Sequence, residues 1–266
     1  MNKRVLVNGA CGRMGQEVVK TVVNETDELL VGACDLKHTG EDILKLLALE
    51  GPEVLIYGDL AEAIKSTEPD VIIDFTSPRV VMDNIETGLS HGVDMIVGTT
   101  GITEIDLKKI DQWTKENDTR ALIVPNFAIG AVLMMRFAAE TARHFKDVEI
   151  IELHHNQKID APSGTALKTA ELINAERDQS GSEEGIEEIE KLTGARGGEL
   201  DGIRIHSVRL PGLVAHQEVI FGAEGQSLTI RHDSYNRKSF MPGVRLALKK
   251  ISEIRGLVYG LEKIMD

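Results

Sequence analysis

Short apolar runs alternate with stretches of helical period through the first half of the chain. We predict strands at residues 5–7, 29–33, 54–57, 71–74, 95–97 and 122–124, and helices at 14–24, 60–66, 80–91 and 104–117. Such alternation builds βαβ units, which form a parallel sheet with helices on both faces. The first half therefore predicts a Rossmann-like, doubly wound α/β domain. Residues 37–52 fit no regular element.

The second half has a different pattern. A helix at 131–145, a strand at 148–155 and a helix from Thr165 precede three strand-like runs at 203–210, 215–221 and 227–233. These three runs are close enough in sequence to pair antiparallel. We therefore predict a second α+β domain with a mixed or antiparallel sheet, over residues 127–237, after a first domain over 1–126. The C-terminal residues 238–266 have a helical period.

Composition is typical of a soluble globular protein, with 42% hydrophobic and 27% charged residues among 266. The net charge of −13 disfavours nucleic acid and anionic membrane surfaces as partners. The apolar stretch 121–135 is interrupted by Pro125, Asn126 and Gly130, so we predict a strand, a turn and a helix start there and no membrane segment. Cys11 and Cys34 are too few for a disulfide framework, and no signal peptide is recognisable, which favours the cytoplasm. The acidic tract at 183–190 is typical of a solvated loop or helix.

The stretch VLVNGACGRMGQEVV places three glycines after the first predicted strand and at the start of a helix. Gly9, Gly12 and Gly15 suit a tight turn, close approach to a pyrophosphate and helix–strand packing. Asp35 ends the next strand, 20 residues after Gly15, where an acid binds the adenosine ribose hydroxyls. The alternatives are a glycine-rich turn that binds nothing, a helix cap or solvated carboxylate at Asp35, and a surface role for Arg13.

Two further loops, VGTTG at 97–101 and VPNF at 124–127, follow strand ends on the same edge of the predicted sheet. In a doubly wound sheet, ligands bind outside the carboxyl ends of the strands. We therefore expect these loops to line the nicotinamide half of a dinucleotide site. A plain tight turn is the alternative for GTTG.

The stretch ELHHNQKIDAPSGTA carries the candidate chemistry. Neighbouring strand residues point to opposite faces, so His154 and His155 should differ in role. Zinc is disfavoured because no cysteine or third histidine lies nearby and Lys158 would repel a cation. Without a ligand, two histidines satisfied by backbone partners would be the ordinary interpretation.

The residues after Pro162 predict a helix whose N-terminus is Ser163, Gly164 and Thr165. Free amides and the positive end of the helix dipole bind anions, and Lys158 adds a full positive charge. This combination predicts a site for a carboxylate or phosphate beside imidazoles that transfer protons near neutral pH. With a dinucleotide, it predicts hydride transfer to a small anionic acceptor such as an imine. A plain capped helix is the alternative.

The blocks NGACGRMG, DFTSP, GTTG, PNFAIG and ELHHNQKIDAPSGTA resemble, in the same order, those of the dihydrodipicolinate reductase family. The resemblance implies reduction of 4-hydroxy-tetrahydrodipicolinate to tetrahydrodipicolinate by NADH or NADPH, with loss of water, in lysine and diaminopimelate synthesis. It implies a homotetramer built on the sheet of the second domain, with the C-terminal helix returning to the first.

The resemblance also implies residue roles. His154 matches a proton donor or acceptor, Lys158 a proton donor, His155 a substrate ligand, and Gly164 and Thr165 the pair that holds a substrate carboxylate, beside Ser163. The residues that match cofactor-binding segments are Gly9, Ala10, Cys11, Gly12, Arg13, Met14, Asp35, Gly98, Thr99, Thr100, Val124, Pro125, Asn126 and Phe127.

This chain departs from some family members at two places. Asp35 and Leu36, followed by Lys37, replace a Glu-Arg pair that meets the 2′-phosphate of NADPH, which leaves the choice between NADH and NADPH open. Residues 215–217 read Ala-His-Gln where some members have Gly-Glu-His. Two rival functions are a dehydrogenase of another small carboxylic acid and a dinucleotide-sensing protein without turnover, which would not need the His-His-Lys cluster.

Overall fold

A computed structural model describes residues 2–177 and 189–265, so positions 183–188 of the predicted acidic tract lie outside the described residues. The chain divides into two compact units, one made of Met1–Phe127 with Arg237–Asp266 and the other of Ala128–Asn236. Within the described ranges, every helix is too short or too polar to cross a membrane.

The strands, in chain order, are β1 (Arg4–Asn8), β2 (Leu29–Cys34), β3 (Ile56–Tyr57), β4 (Val71–Asp74), β5 (Asp94–Val97), β6 (Arg120–Ile123), β7 (Asp147–His154), β8 (Gly198–Leu200), β9 (Ile203–Arg209), β10 (Ala215–Ala223), β11 (Gln226–Ser234) and β12 (Gly256–Tyr259). The helices are α1 (Arg13–Glu25), α2 (Ile43–Leu46), α3 (Leu60–Thr67), α4 (Val81–Ser90), α5 (Glu104–Asn117), α6 (Ile129–Thr141), α7 (Gly164–Glu176) and α8 (Met241–Lys250).

The first unit contains a seven-stranded parallel sheet in the order β3-β2-β1-β4-β5-β6-β12. The chain winds one way from β1 to β3 and the other way from β4 onward, which is the doubly wound order. The predicted Rossmann-like sheet is therefore confirmed. Val5, Leu6 and Val7 of β1 are fully buried because a parallel sheet is covered on both faces.

The second unit contains a five-stranded sheet in the order β11-β10-β7-β9-β8. β7 pairs antiparallel with β10 and parallel with β9, so the predicted mixed sheet is confirmed. The expectation that three consecutive runs pair antiparallel is wrong for β9, because β7 lies between β9 and β10. The chain leaves β7 through helix α7 before it reaches β9, and a long crossover of this kind returns a strand in parallel.

Helices α6 and α7 contribute to the core of the second unit. Met134 and Ala138 of α6 and Ala170 of α7 are buried in one cluster with Val219 and Phe221 of β10. Alternate residues of β7 and β10 therefore face the helices, and the residues between them face the other way. This alternation decides which side chains of β7 share a face with the candidate site.

The C-terminal segment is not one helix, as its period suggested. A 3₁₀ turn at Arg237–Phe240 leads into α8, and after a second turn the chain forms β12, which pairs parallel with β6. Gly256 begins β12 with φ +60°, a conformation that stops a helix. For residues 37–52 the sequence predicted no regular element. The structure has only the one-turn helix α2 there, with Asp42 as its N-cap.

Candidate active site

The glycine loop lies between β1 and α1 in the first unit, and its shape excludes side chains at two positions. Gly9 has φ +79°, and a Cβ there would come within 2.4 Å of Phe75 O. A Cβ on Gly15 would come within 2.0 Å of Gly9 O, so this glycine lets the helix pack on the turn. The amide of Gly12 donates to Gly9 O at 3.0 Å, and α1 begins at Arg13. The backbone thus forms a bare cradle of the kind that fits a dinucleotide pyrophosphate.

Asp35 follows β2 directly and closes this loop. Its Oδ2 accepts a hydrogen bond of 2.9 Å from Cys11 N, and its Oδ1 accepts one of 3.0 Å from Lys37 N. A carboxylate has about four acceptor sites, so both oxygens keep capacity for ribose hydroxyls. Burial, together with the charges of Asp35 and Glu41, raises the pKa of Cys11 to about 11, so this side chain is a neutral thiol at the cradle.

Asp74, at the end of β4, is a buried carboxylate to which the sequence assigned no role. Its Oδ2 accepts from Asn8 Nδ2 at 2.8 Å and from Asn84 Nδ2 at 2.9 Å. Its Oδ1 accepts from the hydroxyls of Thr99 at 2.6 Å and Thr76 at 2.8 Å. Asp74 is fully buried, so this network joins the ends of β1, β4 and β5 through one side chain.

The other predicted cofactor segments follow β5 and β6. Val124 N donates to Val97 O at 2.8 Å, and the rings of Phe127 and Phe75 lie 5.4 Å apart. A Cβ on Gly98 would come within 2.2 Å of the Phe75 ring. The predicted segments 9–14, 35, 98–100 and 124–127 all follow the carboxyl ends of strands β1, β2, β5 and β6 of one sheet. Ligands of doubly wound sheets bind at this edge.

In the second unit, His154 ends strand β7 and is paired with a buried carboxylate. Its Nδ1 lies 2.5 Å from Glu152 Oε2, and the side chain of Glu152 is fully buried. Burial lowers the pKa of His154, the Glu152 carboxylate raises it in part, and Lys158 and Arg209 lower it again. The ring therefore titrates below its ordinary range and is mostly neutral at neutral pH.

β7 ends at His154 and the chain then turns, so His155 is separated from His154 by this turn and not by the strand alternation that the sequence suggested. The side chain of His155 is exposed, and its Nδ1 accepts from Gln157 N at 3.2 Å. Lys158 is partly buried, with its Nζ 2.8 Å from both carboxylate oxygens of Asp160. Asp160 thus partners the lysine in this structure, a contact that the sequence did not predict.

Helix α7 begins as predicted, with Ser163 as N-cap. Ser163 Oγ accepts from Ala166 N at 3.2 Å, and Ser163 is buried. The first-turn amides of Gly164 and Thr165 have no acceptor within the helix, and Gly164 is exposed. The positive end of an α-helix is therefore available to an anion in the unit that also carries His154 and Lys158.

The sequence missed four charged residues of these sites, namely Asp74, Glu152, Asp160 and Arg209. The sequence did contain a signal for Glu152. Glu152 and His154 are two residues apart on a predicted strand, so their side chains share a face. Arg209 lies 57 residues from Glu152 in the chain, and only the parallel pairing of β7 with β9 brings it there.

These two units carry what a hydride-transferring enzyme needs, and they define the class as a reductase that uses a nicotinamide dinucleotide. Residues 3–127 match the family model described as dihydrodipicolinate reductase, N-terminus, and residues 130–265 match the one described as dihydrodipicolinate reductase, C-terminus. The chain belongs to the dihydrodipicolinate reductase family.

Individual relatives of known name match this chain over almost its whole length. It is 50% identical over 262 residues to the 4-hydroxy-tetrahydrodipicolinate reductase of Syntrophomonas wolfei, covering 98% of each chain. It is 52% identical over 263 residues to the enzyme of that name from Listeria innocua, covering 99% of this chain and 100% of the relative. The family predicted from the sequence, its nicotinamide cofactor and its oxidoreductase class are confirmed.

A solved structure of the same family is also similar to this chain. The dipicolinate-bound dihydrodipicolinate reductase from Paenisporosarcina sp. TG-14 aligns over 100% of both chains, with a TM-score of 0.87 and 48% identity. An amine dehydrogenase from Mycobacterium smegmatis aligns over 97% of this chain with a TM-score of 0.69. Its identity is 15%, so this second likeness concerns the fold alone.

Proposed function

We propose that the chain reduces 4-hydroxy-tetrahydrodipicolinate to tetrahydrodipicolinate, in lysine and diaminopimelate synthesis. One NADH or NADPH and one proton are consumed, and NAD⁺ or NADP⁺ and one water are released. The observation that carries the proposal is the cluster of His154, Lys158 and the α7 N-terminus in a chain about half identical to reductases of that name.

The first unit fits the cofactor. The proposed contacts come from Gly9, Ala10, Cys11, Gly12, Arg13 and Met14 of the cradle, from Asp35, and from the loops Gly98, Thr99 and Thr100 and Val124, Pro125, Asn126 and Phe127. When bound, the cofactor supplies a hydride. The bare backbone at Gly9 and Gly15 supports this assignment, because a Cβ at either position would meet backbone atoms.

The second unit supplies charge and protons. Lys158, with Ser163, Gly164 and Thr165 at the start of α7, is proposed to hold a carboxylate of the substrate, and His155 to contact the substrate. His154 and Lys158 are proposed to exchange the proton that accompanies reduction. The relative from Paenisporosarcina sp. TG-14 was solved with dipicolinate, a dicarboxylate, which supports this class of ligand.

Assembly and location belong to the same proposal. We propose a homotetramer built on the mixed sheet, because Ile151 of β7 and Ile220 of β10 lie on the face opposite α6 and α7. A cytoplasmic location follows from the biosynthetic role. Light scattering of the purified protein tests the tetramer, and cell fractionation tests the location.

The reaction is tested by the decay of NADH absorbance, and separately of NADPH absorbance, with the fresh condensation product of pyruvate and aspartate semialdehyde. We expect rapid oxidation that depends on this product. Other small imines and 2-oxo acids serve as controls for a dehydrogenase of different specificity. Cofactor binding without oxidation in any mixture would contradict the proposal and favour a dinucleotide-sensing protein.

A further inference from the structure

Glu152 is a fully buried carboxylate in the middle of a cluster of donors. Arg209 makes a two-pronged contact with it, from Nη1 to Oε2 at 2.8 Å and from Nη2 to Oε1 at 2.6 Å. Burial alone raises the pKa of Glu152, but the hydrogen bonds from Arg209 and His154 outweigh it and hold that pKa below its ordinary value. Glu152 is therefore ionised throughout the neutral range.

The two oxygens of Glu152 serve the two halves of the candidate site. Oε2 is the partner of His154 Nδ1 at 2.5 Å, and Oε1 accepts from Ser163 N at 3.2 Å. The amide of Ser163 precedes the first turn of α7, where an anion would bind. Arg209 extends this link, because its Nη2 also donates to Asp160 O at 2.8 Å.

We propose that Glu152, held by Arg209, is a positioning residue that orients His154 and the Asp160–Thr165 segment together for proton transfer. This inference rests on the proposed function and adds residues to which that function assigns no role. Neither side chain is required to touch the substrate.

The chemistry of the Glu152–His154 pair explains how the imidazole ring is oriented. An ionised carboxylate only accepts hydrogen bonds, so the Nδ1 of His154 carries the proton and Nε2 is the atom left for proton exchange. The negative charge also stabilises the imidazolium that forms when Nε2 takes up a proton. Arg209 and Lys158 oppose that protonation, and the residue that pairs with His154 on β10, Ala215, is uncharged. Among the contacts described, Glu152 is thus the anionic partner of His154.

The test compares Glu152→Gln with Glu149→Gln. Glu149 is on the same strand and also pairs with an arginine and a histidine, Arg196 at 2.6 Å and His206 at 2.7 Å, but it is on the opposite face of the sheet. For Glu152→Gln we expect kcat to fall at least about tenfold, and the limb of the kcat/KM pH profile that reports His154 to move about one unit lower. Glu149 lies on the sheet face proposed for the tetramer, so light scattering first checks that Glu149→Gln keeps its oligomeric state, and we then expect neither change. Equal pH profiles in both variants would overturn the proposal.

Two further measurements keep the result decisive. Nitrogen-15 NMR of the histidines should show a proton on Nδ1 of His154 in the wild type and a lower His154 pKa in Glu152→Gln, whether or not turnover is seen. If the wild type did not turn over the substrate, the proposed function would fail while this readout still decided the role of Glu152. If Glu152→Gln does not fold, Arg209→Lys replaces it, and we expect reduced kcat and raised KM because one amine cannot reproduce the two-pronged contact. Unchanged kcat and KM in Arg209→Lys would contradict the proposal.

Discussion

Lys158 Nζ lies 2.8 Å from both carboxylate oxygens of Asp160, two residues further along the chain. The lysine proposed to meet a substrate carboxylate therefore already has an anionic partner. The hydrogen bonds from Lys158 hold the pKa of Asp160 below its usual range, so the pair is ionic at neutral pH. A dicarboxylate must compete with Asp160 for this lysine.

We expect Asp160→Asn to lower the KM for the substrate by about two- to fivefold, because an exposed ion pair contributes up to about 1 kcal/mol. Steady-state kinetics at low and high salt measure the effect, which should shrink as salt screens the charges. Asp201→Asn, in the turn between β8 and β9, is the matched control. A raised KM in Asp160→Asn would show instead that Asp160 is needed to orient Lys158.

Replacing His154 or Lys158 with alanine should lower kcat by about 10²- to 10⁴-fold, the usual contribution of a positioned proton donor or acceptor. The affinity for NADH should change little, because the proposed cofactor segments all belong to the other unit. Fluorescence titration measures binding and the absorbance assay measures turnover. Lys168→Ala, an exposed lysine of α7, should retain full turnover. Wild-type turnover in both His154→Ala and Lys158→Ala would refute the assigned roles.

The network around Asp74 predicts a loss of stability when this carboxylate is removed. In Asp74→Ala, the amides of Asn8 and Asn84 and the hydroxyl of Thr99 lose their acceptor in a buried place. We expect the free energy of unfolding in urea to fall by at least about 3 kcal/mol. Asp111→Ala, which removes the exposed partner of Lys115, should change it by no more than about 0.5 kcal/mol. A similar small change in both variants would contradict the assigned role of Asp74.

Cofactor preference should depend on Asp35. A carboxylate at the ribose favours NADH and repels a 2′-phosphate. We expect Asp35→Ser to weaken NADH binding. The ratio of NADPH affinity to NADH affinity should rise about tenfold or more, because the variant loses a hydrogen bond to a charged group. Fluorescence titration with each nucleotide gives this ratio without turnover. A ratio that does not change would mean that Asp35 only supports the amides of Cys11 and Lys37.

The buried carboxylate of Glu152 also predicts acid sensitivity. Its pKa in the folded protein lies below the ordinary value of 4.5, so its contribution to stability is fully present above pH 4.5 and is lost as pH falls through the folded-state pKa. Urea unfolding at pH 7 and at successively lower pH should show a steeper loss in the wild type than in Glu152→Gln. Parallel curves would show that Glu152 contributes no pH-dependent stability.

The sequence by itself determined most of the first unit and the family. Apolar runs buried on both faces have a period that survives without tertiary information, and glycine positions such as Gly9 reflect local backbone geometry. The stretch around His154 and Lys158 could also be recognised as a candidate site from the sequence, because its residues are neighbours in the chain.

Tertiary structure decided the rest. β12 joins the sheet beside β6, from which it is separated by the whole second unit, and a run of four residues carries no period that predicts this pairing. Arg209 reaches Glu152 only because β9 pairs parallel with β7, and Asp74 becomes a hub only where three strand ends meet. A buried carboxylate is identified by donors that arrive from distant segments, and the order of strands in a sheet, which brings those donors together, is set by packing and not by local sequence.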